Sequence, residues 1–462
     1  MKEFDVIVIG SGSGMSIVSG ALNHGFKVAL VDKGPLGGTC LNVGCIPSKM
    51  LIYPADRIME IQQAKKLGIT AEITNIDFKS IMERMRGVVQ DGVSHMREGL
   101  KYAENLDYYE TEGHFVEDYT MEVNGEKIRG EKIFIVSGAR PLIPPIKGID
   151  EVDYLTNETV LQLKEKPESM IIIGGGFIAV EFAHFFAAMG TKVTIVQRGP
   201  RLVKNEEPEI SELLQKEMRK RMEIHTNTEV VEVRKDGNGY TVIGRDKNTG
   251  DEKEFSEEKI LVAAGRKSNA DLLKVENTGV KTDKRGYIIV NEYFETTKKN
   301  IWALGDAIGK YMFKHVVNEE ADLVWRNVMH GEHGEKIPMD YWAAPHAVFS
   351  YPQIASVGLT EEQAKKDYDI LVGKAEYSSV AKGEAMVEEE SFAKAIVEKG
   401  TWKILGFHII GPYAPILIQE VINAMATDET IIPIASGMHI HPALPELILR
   451  TLSRLREPEQ SS

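Results

Sequence analysis

The sequence predicts an α/β chain in which two βαβ units precede a separate α+β unit. Three observations predict it. Phe4 to Gly34, FDVIVIGSGSGMSIVSGALNHGFKVALVDKG, runs from a β-branched stretch through glycines and an amphipathic stretch to a second apolar run. Ser169 to Gly199, SMIIIGGGFIAVEFAHFFAAMGTKVTIVQRG, repeats that order. Tyr341 to Arg456 instead mixes strand-like runs (AVFSY, KAIVEK, WKILGFHII) with helical ones (ILIQEVINAMA, ELILRTLSRL).

In the first unit, Val6 to Ile9 reads as a buried parallel strand, a helix then runs to about Asn23, and Val28 to Val31 forms a strand ending at Asp32. Between strand and helix, Gly10 permits a tight turn and Gly12 lets backbone approach a pyrophosphate. The helix N-terminus offers free N–H groups to that anion. Asp32 lies where an acid accepts hydrogen bonds from an adenosine ribose. Met15 stands where a third glycine is expected, so either the helix is displaced or Gly14 substitutes. In the second unit, Ile171 to Ile173 is the strand, Gly174 to Gly176 the turn, Ile178 to Met189 the helix and Val193 to Val196 the next strand. Here the third position is the small Ala179. Two such turns imply two dinucleotides, between which electrons can pass.

The stretch GGTCLNVGCIPSK, Gly37 to Lys49, holds the only two cysteines of the 462 residues, Cys40 and Cys45. MKEFDVIVIG carries too short an apolar run to be a secretory signal, and no run approaches a membrane span, so a cytoplasmic location is expected. Thiols are kept reduced there, so a close pair reads as redox-active, as two unrelated core thiols, or as half of a mixed metal site. Zinc is disfavoured because no other cysteine can complete its ligands, and no metal site is expected. A net charge of −14 argues against broad nucleic-acid binding, which needs a basic field.

Phe134 to Pro145, FIVSGARPLIPP, reads as a strand, a turn and a Pro-rich exit. Asn300 to Gly309, NIWALGDAIG, ends a strand at Gly305–Asp306, where an acid can accept from a polyol hydroxyl. In MHIHPALPE, His441 precedes a proline and Glu446 lies five residues on. By itself such a histidine is more often structural than catalytic, and His439 is read as structural.

Together these motifs, end to end and in order, resemble the class I flavoprotein pyridine nucleotide-disulfide oxidoreductases: dihydrolipoyl dehydrogenase, glutathione, mercuric and mycothione reductases. GGTCLNVGC-P-S-K resembles their redox-disulfide motif, VSGARP and ALGDA their later flavin motifs, and HPALPE their C-terminal His-Pro…Glu motif. The resemblance implies two Rossmann-like dinucleotide-binding domains plus a C-terminal α+β dimerisation domain. The boundaries are 1–148 for FAD and the disulfide, 149–268 for NAD(P), 269–340 for a central domain completing the FAD site, and 341–462 for the interface.

It also implies a Cys40–Cys45 disulfide beside FAD, with Cys40 the interchange thiol and Cys45 the charge-transfer thiol nearer the flavin. Lys49 and Glu181 match the ion pair by the flavin. His441, oriented by Glu446, matches the acid/base contributed by the partner subunit of an obligate homodimer. Cofactor contacts are implied at Gly10, Gly12, Gly14, Asp32, Lys33, Gly38, Thr39, Ser137, Gly138, Gly305 and Asp306, and at Gly174, Gly176, Phe177, Ala179, Arg198, Lys204 and Gly265. Phe177 matches a gating aromatic over the flavin.

The REPEQSS ending lacks the extra cysteines of mercuric and large thioredoxin reductases. GSGSGMSI, NADLL (Asn269 to Leu273), KHVVNEEA (Lys314 to Ala321) and HPALPE lean toward the mycothione reductase branch. At the second unit's acid position stands Gln197, followed by Arg198, Arg201 and Lys204. NADPH is therefore expected over NADH, since an acid repels a 2′-phosphate whereas guanidinium groups pair with it. The expected activity is NADPH-dependent reduction of a low-molecular-weight disulfide, serving cell redox homeostasis. The alternative is a dihydrolipoyl dehydrogenase using NAD, which alone would bring a 2-oxoacid dehydrogenase complex as partner. A non-catalytic flavin redox sensor is the remote third reading.

Overall fold

The computed structural model describes residues 1–330 and 334–458. Residues 331–333 and the end of the REPEQSS tail, both within the expected units, lie outside the described residues.

Both glycine turns sit at the ends of parallel strands. In the first sheet the order is Leu106–Glu110, Val28–Asp32, Lys2–Ile9, Glu126–Ile135, Thr120–Val123 and Gly113–Glu117. Lys2–Ile9 pairs in parallel with Val28–Asp32 and with Glu126–Ile135. Ile301–Ala303 also joins Glu126–Ile135, so the later chain returns to the first sheet and delivers Gly305 and Asp306 to its glycine-turn edge. The β-branched runs are buried from both sides, as parallel strands between helices must be.

The second parallel sheet is ordered Glu223–His225, Lys192–Val196, Ser169–Ile173, Lys259–Val262, beside a three-stranded antiparallel sheet of Thr228–Asp236, Gly239–Asp246 and Glu252–Glu257. The helix expected over Ile178–Met189 spans Phe177–Ala188. The last third forms a five-stranded antiparallel sheet, ordered Pro345–Val348, Ile354–Gly358, Ile404–Ile410, Phe392–Glu398, Ile370–Glu376. The single helix expected over ILIQEVINAMA is split into Ala414–Leu417 and Gln419–Thr427.

One contact positions the site. The long helix Cys45–Gln63 packs against Phe177–Ala188 through a core that includes Leu51, Ala55, Phe182 and Phe185. Burying each large apolar side chain there contributes about 1.5–3 kcal/mol. Farther along the same pair of helices, Asp56 meets the fully buried His184 at 2.9 Å. Arg221 meets the other ring nitrogen at 3.1 Å. Burial holds His184 below its usual pKa, hence neutral.

Candidate active site

The first glycine turn is built on contacts that only glycine allows. Gly10 has φ +109°, and a Cβ there would lie 2.3 Å from the carbonyl oxygen of Val136. The question raised by Met15 is answered by its neighbour. A Cβ on Gly14 would stand 2.9 Å from Val8 Cγ1, so Gly14 makes the close helix–strand approach. Met15 packs aside, against the apolar cluster of Ile17 and Val18. Asp32 closes the turn itself: its carboxylate accepts from Ser11 N at 2.5 Å and from Gly34 N at 2.9 Å. That backbone role was not legible in the sequence.

Gly37 and Gly38, at φ +96° and +61°, lead into the short helix Gly38–Asn42 that carries Cys40. A Cβ on Gly38 would meet Gly12 Cα at 3.0 Å, so the cysteine segment lies against the first glycine turn. The Asn42 amide fixes the approach by donating to the carbonyls of Pro35, Leu36 and Gly38. Cys45 begins the helix Cys45–Gln63, where the positive end of the helix dipole favours a thiolate.

Cys40, half-buried, and Cys45, exposed, are both free thiols, and each is the largest influence on the other's acidity. That mutual interaction dominates both groups. It lowers Cys45 to about 7, with the nearby Lys49 ammonium helping and partial desolvation opposing. It raises Cys40, and burial raises it further.

One turn beyond Cys45, the Lys49 ammonium donates to both oxygens of Glu181, at 3.0 and 2.9 Å. Glu181 is 6% exposed and also accepts from Phe349 N at 3.1 Å. The Phe349 ring lies 4.3 Å beneath the Lys49 ammonium. Three segments thus meet at one ion pair beside the thiols.

A cleft of about 360 Å³ runs along the first glycine turn. Its lining includes Gly10, Gly12, Asp32, Lys33, Gly38, Thr39, Cys40, Cys45, Ser137, Gly138, Gly305 and Asp306. Gly14 and Gly265 are not brought into it. Gly265, at φ +136°, accepts from Leu142 N and presents Arg266, whose guanidinium lies 3.5 Å from the Asp306 carboxylate. The donor set fits a dinucleotide. Ser137 Oγ is buried with no hydrogen-bond partner among the described residues. Asp306 is half-buried, and its partial desolvation pushes its carboxyl up despite Arg266. Both are polar groups that a ribityl or ribose chain could satisfy. Lys314 and Ser13 also line this cleft. In the sequence Lys314 stands out only within the KHVVNEEA branch motif, and no local pattern marks its place in the cleft.

At the second turn, a Cβ on Gly174 (φ +126°) would lie 2.2 Å from Ala263 O. Gly176 caps the following helix and Ala179 is buried in it. Phe177 is 37% exposed, its ring 6.0 Å from that of Phe313. Gln197 donates to Arg201 O at 3.3 Å, while Arg198 is exposed and only 3.8 Å from Glu229. Lys204 is exposed too.

His441 Nδ1 lies 2.9 Å from Glu446 Oε1, and the other carboxylate oxygen accepts from Ala443 N. The histidine holds the Glu446 carboxyl below its usual pKa. This pair does not line the cysteine cleft of its own chain. It is flanked by the fully exposed Met438 and by Ile440, 78% exposed. His439, in contrast, is tied to Glu420 at 3.2 Å.

Residues 4–321 match the family described as pyridine nucleotide-disulphide oxidoreductase, and residues 344–451 match its dimerisation domain. Mycothione reductase of Mycobacterium tuberculosis is 38% identical over 466 residues, covering 99% of this chain and 100% of its own. Dihydrolipoyl dehydrogenase of Bacillus subtilis is 31% identical over 465 residues, covering 96% of each. The Cu(II) complex of the HOCl-induced flavoprotein disulfide reductase RclA from Escherichia coli superposes with a TM-score of 0.86 at 28% identity, covering 98% of this chain and 99% of that one.

Proposed function

Because the chain belongs to the pyridine nucleotide-disulfide oxidoreductase family, and is thus an FAD-dependent disulfide oxidoreductase linked to NAD(P)H, we propose that it reduces a low-molecular-weight disulfide at Cys40 and Cys45, using NADPH. The observation that carries this reading is the thiol pair Cys40 and Cys45 lining the dinucleotide cleft, with the Lys49–Glu181 ion pair beside Cys45. The similarity to mycothione reductase across the whole of both chains favours a small-thiol disulfide over lipoamide.

FAD would be held by Gly10, Gly12, Gly38, Thr39, Ser137 and Asp306, and would supply the two-electron link between the nicotinamide nucleotide and the cysteine pair. The other steps belong to the chain. Two electrons and a proton convert the Cys40–Cys45 disulfide to a Cys45 thiolate and a Cys40 thiol, with Lys49 offsetting the charge on Cys45. Cys40 then loses its proton to His441 and attacks one sulfur of the substrate disulfide. The departing substrate sulfur takes a proton from that histidine, leaving a mixed disulfide on Cys40. Cys45 attacks Cys40 Sγ, re-forms the protein disulfide and expels the second substrate thiolate, which takes up a second proton. The sum is one disulfide, two electrons and two protons to two thiols.

Since His441 and Glu446 lie outside their own chain's cleft, the reading places the partner subunit's pair over Cys40 in a homodimer. Arg198 and Lys204 are exposed in the segment that follows the strand Lys192–Val196, where a 2′-phosphate would be met. Turnover of a disulfide panel (oxidised glutathione, bis-glutamylcystine, coenzyme disulfides, lipoamide) with both nucleotides tests the proposal. Preference for lipoamide with NADH would instead support the dihydrolipoyl dehydrogenase reading.

A further inference from the structure

One cation that lines the cleft and bears on the thiols, Lys314, is left unused by the proposed cycle. Lys314 opens the helix Lys314–His330. Its ammonium donates to Ser13 Oγ at 2.8 Å and to Asn318 Oδ1, one turn along its own helix. Ser13 is 5% exposed and belongs to the first glycine turn, against which the cysteine segment packs through Gly12 and Gly38. The ammonium is therefore fixed from two elements at the edge of the cleft that also holds the cysteines. The two cations are weighted differently over the pair: Lys49 acts on Cys45, whereas Lys314 acts most on Cys40 and less on Cys45.

That weighting matters because reduction leaves one negative charge on two sulfurs. While Cys45 carries it, Cys40 keeps its proton. Attack on substrate requires the charge on Cys40, away from Lys49. We propose that Lys314 is a positioning residue for this step: clamped by Ser13 and Asn318, its ammonium stabilises negative charge on Cys40 Sγ, making it the attacking thiolate. The proposal rests on the reading of Cys40 as the interchange thiol. The charged groups that bear on Lys314 are Cys40, Cys45 and Asp322, and burial lowers its own pKa. Cys45 in turn faces Lys49 and Glu181.

The test uses the flavin-loaded Cys45→Ser protein, in which Cys40 is the sole thiol of the chain. The rate of alkylation by iodoacetamide against pH then reports the titration of Cys40 alone. Adding Lys314→Met should move the midpoint up by about one pH unit, slowing alkylation on the acid side about tenfold. Lys314→Arg should restore most of the shift, and Ser13→Ala, which frees the ammonium, should move the midpoint upward by less. An unchanged midpoint in Lys314→Met would overturn the proposal. Should that variant fail to retain flavin, Lys314→Gln and Ser13→Ala carry the same comparison, and an unchanged midpoint in both is equally decisive. Alkylation needs neither substrate nor turnover, so its outcome is separable from that of the disulfide panel.

Discussion

The Lys49 ammonium lies 2.9 and 3.0 Å from the two carboxylate oxygens of Glu181, joining the cysteine helix to the helix after the second glycine turn. Glu181 is buried and Lys49 is only a third exposed, so removing the cation leaves a carboxylate with Phe349 N as its remaining donor. Lys49→Met should therefore destabilise the protein by about 3 kcal/mol. It should also raise the Cys45 pKa, since a favourable charge is lost. Chemical denaturation and thiolate titration of the same variant check the two effects independently. A variant as stable as the parent would show that the pair is a solvated surface contact.

The acidity of Cys45 sets a pH dependence. Its thiol is lowered to about 7, so a long-wavelength absorption from its thiolate against bound flavin should grow as pH rises through that value and fade below it. Cys45→Ser should abolish the band at every pH. Cys40→Ser, whose hydroxyl can still donate, should show it without added reductant. Spectra of the partially reduced protein settle the assignment, and a band that survives in Cys45→Ser would reverse the roles of the cysteines.

His441→Gln should leave reduction by nucleotide fast and slow the disulfide half-reaction by about 10²- to 10⁴-fold. Rapid mixing resolves the two halves. Heterodimers of His441→Gln with Cys40→Ser should regain roughly one working site, because the pair lies outside its own chain's cleft. No recovery would mean that each subunit supplies its own acid.

For nucleotide choice, two charged hydrogen bonds to a 2′-phosphate, each contributing about 1.5 kcal/mol, would favour NADPH on the order of a hundredfold. Arg198→Glu removes one contact and adds repulsion, so the preference should reverse in reductive half-reaction kinetics. A native preference for NADH would contradict the assignment of Arg198 and Lys204.

Much of this site was legible because each motif is local. The β-branched runs, the positive-φ glycines at 10 and 174, and the cysteine pair announce their chemistry over a few residues. What escaped the sequence is what depends on contacts between distant segments. Asp32 binding back to Ser11 is one case. The choice between a displaced helix and Gly14 replacing the third glycine, left open by the sequence, is another, since it is decided by the distance to Val8. Lys314 was visible as a residue, but its bond to Ser13 spans 301 positions, which no spacing rule reports.

The most direct test of the central claim is steady-state reduction of the disulfide panel by the native protein beside Cys40→Ser and Cys45→Ser. Repeated turnover of at least one small disulfide with NADPH, abolished in both variants, is the predicted result. Reduction that stops after a single equivalent, or turnover that persists without either cysteine, would contradict it.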